Sequence, residues 1–327
     1  MTKQEDVAKL AGVSVTTVSR VINNYGSLSE KTKEKVFSAM EELNYQPNVS
    51  ARSLQGKSTQ LVGLIFPAVS NPFFGELVQE IEDELFKKGY RVILCDAGQD
   101  HEKERDYLKM LRANQVAGII TGTHNRNIPE YEQTGLPIIA HDRHLAGGIP
   151  IVSSDNFIGG KRAAAQLLQA NCKNIAVITG SSFSNSSTDL RVQGFKGVLK
   201  KKNLKPEFLE LSYNVSPRVK LMHIKQLLSE KVVDGIFCTD DLTALLVLRI
   251  AEQLDIAVPK ELKVIGYDGT KFIREYYPQL TTIVQPIKDM ATLSVELLIK
   301  LIESPEKSLK AQYTLPVEVL AGETVGD

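Results

Sequence analysis

Cysteine is scarce in this 327-residue sequence, and net charge is absent. The three cysteines, Cys95, Cys172 and Cys238, lie far apart in or beside apolar segments, which suits buried thiols and argues against a disulfide framework. Lysine plus arginine number 39 and aspartate plus glutamate 39, so the whole-chain charge gives no pull toward nucleic acid or membrane. Any such evidence must be local, and the first 58 residues hold only eight basic side chains against six acidic ones. No apolar run approaches the length of a membrane span, and the opening MTKQEDVAKL lacks the apolar core of a signal peptide. These absences predict a cytoplasmic protein with no membrane partner.

Catalytic signatures are missing as well. There is no G-x-S-x-G elbow, and Gly159-Gly160-Lys161 lacks the preceding glycine and the following Ser or Thr of a phosphate loop. His141-Asp142-Arg143-His144 invites a metal. Along a strand end, however, an odd spacing turns the two histidines to opposite faces, against a shared ion. The expectation is a protein that is not an enzyme, with no cofactor and no metal.

What is present falls into three textures. Residues 4–45 carry three short helical patterns, Val7/Leu10/Ala11, Val15/Val18/Ile22 and Val36/Met40/Leu43, enough for one small shared core. Gly12 supplies a tight bend between the first two, and Ser14 an N-cap for the second. Residues 47–60 read as a linker around a helix of about two turns, too short to be stable alone. From Leu61 the sequence alternates apolar runs with amphipathic helices. The runs are LVGLIFP, RVILCDA, VAGIITG, LPIIAHD, IPIVSSD, NIAVITG, VDGIFCTD and LKVIGYD. That alternation predicts parallel sheets covered by helices on both faces. VAGIITG then LPIIAHD is echoed by VDGIFCTD then LKVIGYD, as in two similar lobes.

The second helix leaves Thr16 and Arg20 four residues apart on one exposed stripe, the face a recognition helix offers to the major groove. Arginine can fork onto guanine, and Thr17, Ser19 and Asn23 are short donors suited to phosphates. Leu54, flanked by Arg52 and Lys57, has the make-up of a minor-groove wedge, and Asn48 and Ala51 fall on the same short helix. In the α/β region ligands are expected beyond the carboxyl ends of strands, which carry Asp142, Asp155, Asp240 and Asp268, and Asp142, Asp155, Asp241 and Asp268 offer acceptors for hydroxyl donors. Phe73 and Phe74 could stack on a ligand or belong to the core, and Arg191 could fork onto ligand oxygens. Taken singly, each aspartate reads equally as a turn or helix cap.

DVAKLAGVSVTTVSRVIN, LNYQPNVSARSLQGKST, NPFF, RVQGF, IGYDGT and LTTIVQP stand in the order and spacing of the lactose and galactose repressor family of bacterial regulators. The chain resembles that family over nearly its whole length. The resemblance implies a helix-turn-helix head (1–46), a hinge (47–60) and a two-lobed domain like periplasmic sugar-binding proteins (61–327). Its N-lobe would comprise 61–155 plus about 286–314, and its C-lobe about 156–285 plus 315–327. It further implies base reading by Thr16 and Arg20 and phosphate contacts from Ser19, Asn23 and Tyr45. Leu54 would intercalate, and Phe73, Asp142, Phe157, Arg191, Asp241, Asp268 and Gln285 would line an effector cleft. The implied partners are a near-palindromic operator DNA, a second copy of the chain, and a small sugar or sugar phosphate. Within the family, YGSLSEKT, ARSLQGKSTQL, VSSDNFIGG and YDGTKFI most resemble the members that govern sucrose operons, and that likeness implies a sucrose-related sugar. Ribose, or a phosphocarrier protein as corepressor, is the alternative.

Overall fold

The computed structural model describes residues 2–22, 25–46, 59–125, 128–145, 147–180, 186–212, 215–306 and 308–326. Asn23, Asn48, Ala51, Leu54 and Lys57 lie outside the described residues. The chain divides into two compact units, Met1–Thr59 and Gln60–Asp327.

In the first unit, helices α1 (Gln4–Ala11), α2 (Val15–Ile22) and α3 (Glu30–Glu42) enclose Val7, Ala8, Ala11, Val18, Val21, Val36 and Ala39. Gly12 ends α1 in a left-handed conformation, φ 64°, which a side chain would resist. The Ser14 hydroxyl then accepts from Thr17 N at 3.1 Å, and Ser29 caps α3 by accepting from Thr32 N at 3.3 Å. Two apolar positions fall differently from the expected pattern: Leu10 is 46% and Val15 41% exposed, while Val21 is buried. At about 100° per residue, Val7, Ala8 and Ala11 centre the buried stripe well away from Leu10. Val15 opens α2 and projects past so small a core.

The second unit contains two six-stranded sheets. The first uses β1 (Leu61–Phe66), β2 (Arg91–Asp96), β3 (Gly118–Thr121), β4 (Ile138–His141), β5 (Ile151–Ser154) and β11 (Gln312–Leu315), ordered β11-β5-β4-β3-β1-β2 and parallel throughout. The second uses β6 (Ile175–Thr179), β7 (Glu207–Glu210), β8 (Gly235–Cys238), β9 (Lys263–Asp268), β10 (Thr281–Val284) and β12 (Glu318–Leu320), ordered β12-β10-β9-β8-β6-β7. Only the β12 edge of this sheet runs antiparallel. Each of the eight apolar runs contains a strand. The echo is topological too, because β3 and β4 hold the same places in one sheet that β8 and β9 hold in the other.

Helices α4 (Pro72–Lys87) and α12 (Ile287–Glu303) cover one face of the first sheet, and α5 (His101–Ala113) the other, with the short α6 (Glu130–Gln133) nearby. The second sheet is sandwiched between α7 (Asn156–Gln169) with α8 (Ser187–Lys200) and α9 (Pro217–Glu230) with α10 (Asp241–Gln253). Helix α11 (Lys271–Tyr276) follows β9. Gly159-Gly160 finds its use in packing. A Cβ on Gly160 would stand 1.8 Å from the Arg191 carbonyl oxygen, and one on Gly194 2.0 Å from that of Phe157, so α7 and α8 touch backbone to backbone. The chain passes between lobes three times, after β5, after β10 and between β11 and β12. Parallel strands aim their carboxyl ends one way, so both sheets present strand ends and following loops to a shared cleft.

Candidate functional sites in the helical head and the interlobe cleft

On the head, burying Val18 and Val21 turns Thr16 and Arg20 outward; both are exposed, with Thr17, Ser19 and Tyr45 half-buried beside them. The Thr17 hydroxyl pairs with Ser14 Oγ at 2.9 Å, which fixes the start of the helix. Arg20 lies alongside Gly26, where a Cβ would come within 3.5 Å of its Nη2. A short helix held by a capped turn, with a guanidinium and a threonine on its free face, is equipped to enter a DNA major groove.

The cleft is narrow in this conformation, with a cavity volume of about 50 Å³. Asn71, Phe73, Phe74, Gly122, His124, His141, Asp142 and Arg143 line it from the first lobe, and Ser187, Thr188, Arg191, Asp240 and Asp268 from the second. Asn71 caps α4 by accepting from Phe73 N at 2.9 Å, and this sets the two phenylalanines at the first strand's end. Their rings meet edge to face at 5.3 Å, and Phe74 makes a similar contact with His124 at 5.5 Å.

Arg191 is the hub of the second lobe's wall. Its Nε donates to Asn156 Oδ1 at 2.7 Å, and its Nη1 to the Thr239 carbonyl at 2.6 Å and to Asp268 Oδ1 at 3.4 Å. The guanidinium lies 3.7 Å from the centre of the Tyr267 ring. Gln285 Nε2 also donates to Asp268 Oδ1, at 2.7 Å, while its Oε1 accepts from Ser154 Oγ at 2.6 Å. The network thus ties the end of β5 to the end of β10, beside two of the crossovers. Asn156 Nδ2 extends it to Asp142 Oδ1 at 3.3 Å.

The electrostatics follow from burial. Desolvation pushes the Asp142 and Asp268 carboxyls above the usual carboxylate range, with Arg191 opposing the shift in both. It pushes His124 down to about 3, helped by the charges of Arg143 and Arg191, and His141 down to about 4. Both imidazoles are therefore neutral near pH 7. Asp142 and Asp268 also hold positive φ, 59° and 118°, the local strain that ligand-binding positions commonly carry.

The structure brings Phe73, Phe74, Asp142, Arg191 and Asp268 together on the cleft wall, with Gln285 behind Asp268. It places the other expected residues elsewhere. Asp155 caps α7 by accepting from Ile158 N at 2.9 Å, and Phe157 is partly exposed beneath the Lys161 ammonium at 4.5 Å. Asp241 is buried, accepting from Gly269 N at 2.7 Å and Thr282 Oγ1 at 2.6 Å, and it fastens the turn after β9 to β10. Its neighbour Asp240 faces the cleft instead. Asp240 stands among the polar strand ends noted in the sequence, whereas His124 and Arg143 were not read as cleft residues although each follows a strand's carboxyl end, the one signal that would have found them. Among the described residues no cluster of three His, Cys, Asp or Glu side chains is placed to hold a metal ion.

A helix-turn-helix head followed by a two-lobed cleft domain defines a DNA-binding protein equipped to hold a small ligand. Residues 4–48 match the model for bacterial regulatory proteins of the lacI family, and residues 164–325 that for a periplasmic binding protein-like domain. The chain is 56% identical to the sucrose operon repressor of Pediococcus pentosaceus, over 98% of its own length and 99% of that protein. It matches the lac repressor dimer bound to operator and an anti-inducer at TM-score 0.86 and 26% identity, covering 100% of this chain and 99% of that one. A LacI-type regulator from Alkaliphilus metalliredigens in complex with D-xylulofuranose gives TM-score 0.73 and 35% identity, over 81% of this chain and 98% of the other. The chain belongs to the lacI family of bacterial regulatory proteins, which are DNA-binding transcriptional repressors and not enzymes.

Proposed function

We propose that the protein represses a sugar-utilisation operon from the cytoplasm, as a homodimer on a near-palindromic operator, and that a sucrose-related sugar in the cleft releases it from DNA. The observation that carries the ligand class is the cleft's polar inventory. Asp142, Asp240 and Asp268 accept from hydroxyls, Arg191 and Arg143 donate, and Phe73 and Phe74 cover apolar ring faces. A dianionic phosphate would meet two guanidinium groups whose charge Asp240 and, in part, the raised Asp142 and Asp268 already offset, which favours a neutral polyol over a sugar phosphate. On the head, Thr16 and Arg20 read bases while Thr17, Ser19, Asn23 and Tyr45 hold phosphates. Residues 47–60 form the hinge, with Asn48, Ala51 and Lys57 on DNA and Leu54 as its wedge. Asp155, Phe157 and Asp241 support the cleft from outside its wall.

The test is operator binding titrated against sucrose, sucrose phosphate, fructose, ribose and hypoxanthine at fixed salt, because salt alone moves such affinities by orders of magnitude. Release by sucrose or a fructose-containing relative is expected. Release by ribose alone moves the assignment to a ribose operon, and release by hypoxanthine alone ends the sugar reading.

A further inference from the structure

Glu104 stands in the first turn of α5 with no accessible surface, on the same stripe as Leu108 and Leu111, where the core otherwise takes leucine. A carboxylate is costly to bury in such a place and is tolerated when donors supply its oxygens. Three side chains do so: Thr123 Oγ1 donates to Glu104 Oε2 at 2.5 Å, Asn125 Nδ2 to the same oxygen at 2.6 Å, and Tyr131 Oη to Oε1 at 2.5 Å. All of these donors are buried too. Burial and the Glu104 charge hold the Tyr131 phenol well above its usual value, so it remains a donor.

The position of the donors ties this cluster to the cleft. From the end of β3 the chain alternates: Thr121, Thr123 and Asn125 turn toward α5 and α6, where Thr121 Oγ1 lies 3.2 Å from Tyr131 Oη, while Gly122 and His124 line the cleft. Both neighbours of His124 are therefore fastened to one carboxylate. Asn125 Nδ2 also donates to the Asp100 carbonyl at 3.2 Å, and Asn125 N to Thr123 Oγ1 at 3.0 Å. From the other side, Arg143 Nη1 donates to the His124 carbonyl at 3.0 Å. The His124 ring itself keeps accessible surface, stands against Phe74 and is neutral near pH 7. A neutral imidazole carries one donor and one acceptor, a pair that a sugar hydroxyl matches. A leucine at position 104 would close the core, yet it would leave the Thr123 hydroxyl without this acceptor and the loop without its anchor.

We propose that Glu104 is a positioning residue of the effector site: by holding Thr123 and Asn125 it sets where the intervening His124 meets a hydroxyl of the bound saccharide. This role rests on the reading of the cleft as a sugar site. Its consequence is that sugar affinity depends on a carboxylate that the sugar does not touch.

The test uses the full-length protein, sucrose as the probe, and the nearly isosteric changes Glu104→Gln and Thr123→Val, with Thr123→Ser as the variant that keeps the hydroxyl. Calorimetry should show both isosteric variants binding sucrose about tenfold more weakly, and Thr123→Ser within about threefold of the wild type. In a His124→Ala background the same changes should cost less than about twofold, because the side chain they position is gone. With ¹³C-labelled histidine and no sugar, the His124 ring signal, assigned by its loss in His124→Ala, should shift in Glu104→Gln while that of His223 on α9 stays in place. Unchanged sucrose affinity in both isosteric variants, equal losses with and without His124, or a His124 signal that does not move would show that Glu104 serves the core alone. If the wild type does not bind sucrose, the sugar reading fails, and the ligand-free His124 signal still decides whether Glu104 sets its position.

Discussion

Replacing Arg191 with methionine isolates the charge chemistry of the cleft, because the thioether keeps the length and apolar stem of the side chain but loses the guanidinium. Arg191 and Asp268 are both largely withdrawn from solvent, with side-chain exposures of 8% and 13%. Removing one partner of such a pair commonly costs about 3 to 5 kcal/mol, most of it from the charge left behind. Here the ion pair is long, at 3.4 Å, and Gln285 still donates to Asp268 at 2.7 Å, so the lower part of the range applies. The lost bonds to Asn156 Oδ1 and the Thr239 carbonyl and the lost contact with Tyr267 act in the same direction. About 3 kcal/mol in a unit of this size lowers the melting temperature by roughly 6 to 12 °C.

The sign with pH follows from Asp268. Burial already raises its carboxyl, and the Arg191 guanidinium is the strongest charge pulling it back, so Arg191→Met raises it further. An acid raised in the folded state contributes stability that is complete below its unfolded pKa and is lost as pH rises through the folded value. Below the wild-type Asp268 value of about 7 the carboxyl is protonated in both folded proteins, so the penalty of Arg191→Met should be flat with pH there and grow as pH rises above it. Scanning calorimetry, which separates the head from the α/β unit, measures it. Arg191→Met combined with Asp268→Asn should lose the pH dependence and cost less than the two single changes summed. A penalty that is flat with pH and additive with Asp268→Asn would refute the argument.

Two further outcomes follow from the geometry. Arg20→Ala should weaken operator binding by about 1 to 3 kcal/mol per half-site and relax preference at one base pair; unchanged affinity and preference in a competition titration would take Arg20 off the reading face. Gly160→Ala should force α7 and α8 apart, because its methyl would stand 1.8 Å from the Arg191 carbonyl oxygen, and a melting temperature within about 2 °C of wild type would show that the helices separate without loss.

Much of this architecture is legible in the residues. Parallel strands buried on both faces read as continuous apolar runs, and for that reason the runs containing β1, β3–β6, β8 and β9 stand out, while the edge strand β2 is apolar in sequence though half exposed. Strand β7, Glu-Phe-Leu-Glu, does not, because it lies at an exposed sheet edge where polar side chains cost nothing. Arg191 and Asp268 were legible as cleft residues through family spacing, whereas the choice between Asp240 and Asp241 was not. Adjacent side chains at a strand end diverge, and only the position of Thr282 and Gly269 decides which one is drawn inward. His141 of the cleft wall pairs with Ser294 across 153 positions, a separation at which no local pattern signals contact.

A ribosome delivers this protein in an order that does not match its lobes. The first sheet is begun at Leu61, yet its cover, α12, is not made until Ile287 and its edge strand β11 not until Gln312, after every helix of the second lobe has emerged. During that interval Val62, Leu64, Phe66, Leu77 and Ile81 lack the side chains that pack on them from α12, among them Met290, Val295 and Leu298. The older lobe of a nascent chain thus keeps an unsealed apolar face while most of its younger neighbour is made, and the two sheets gain their last strands together at the end, β11 from Gln312 and β12 from Glu318. A premature stop between Ile287 and Leu315 would leave a finished DNA-reading head attached to an unsealed lobe, so such a product is expected to be cleared by proteolysis rather than to persist as a small repressor.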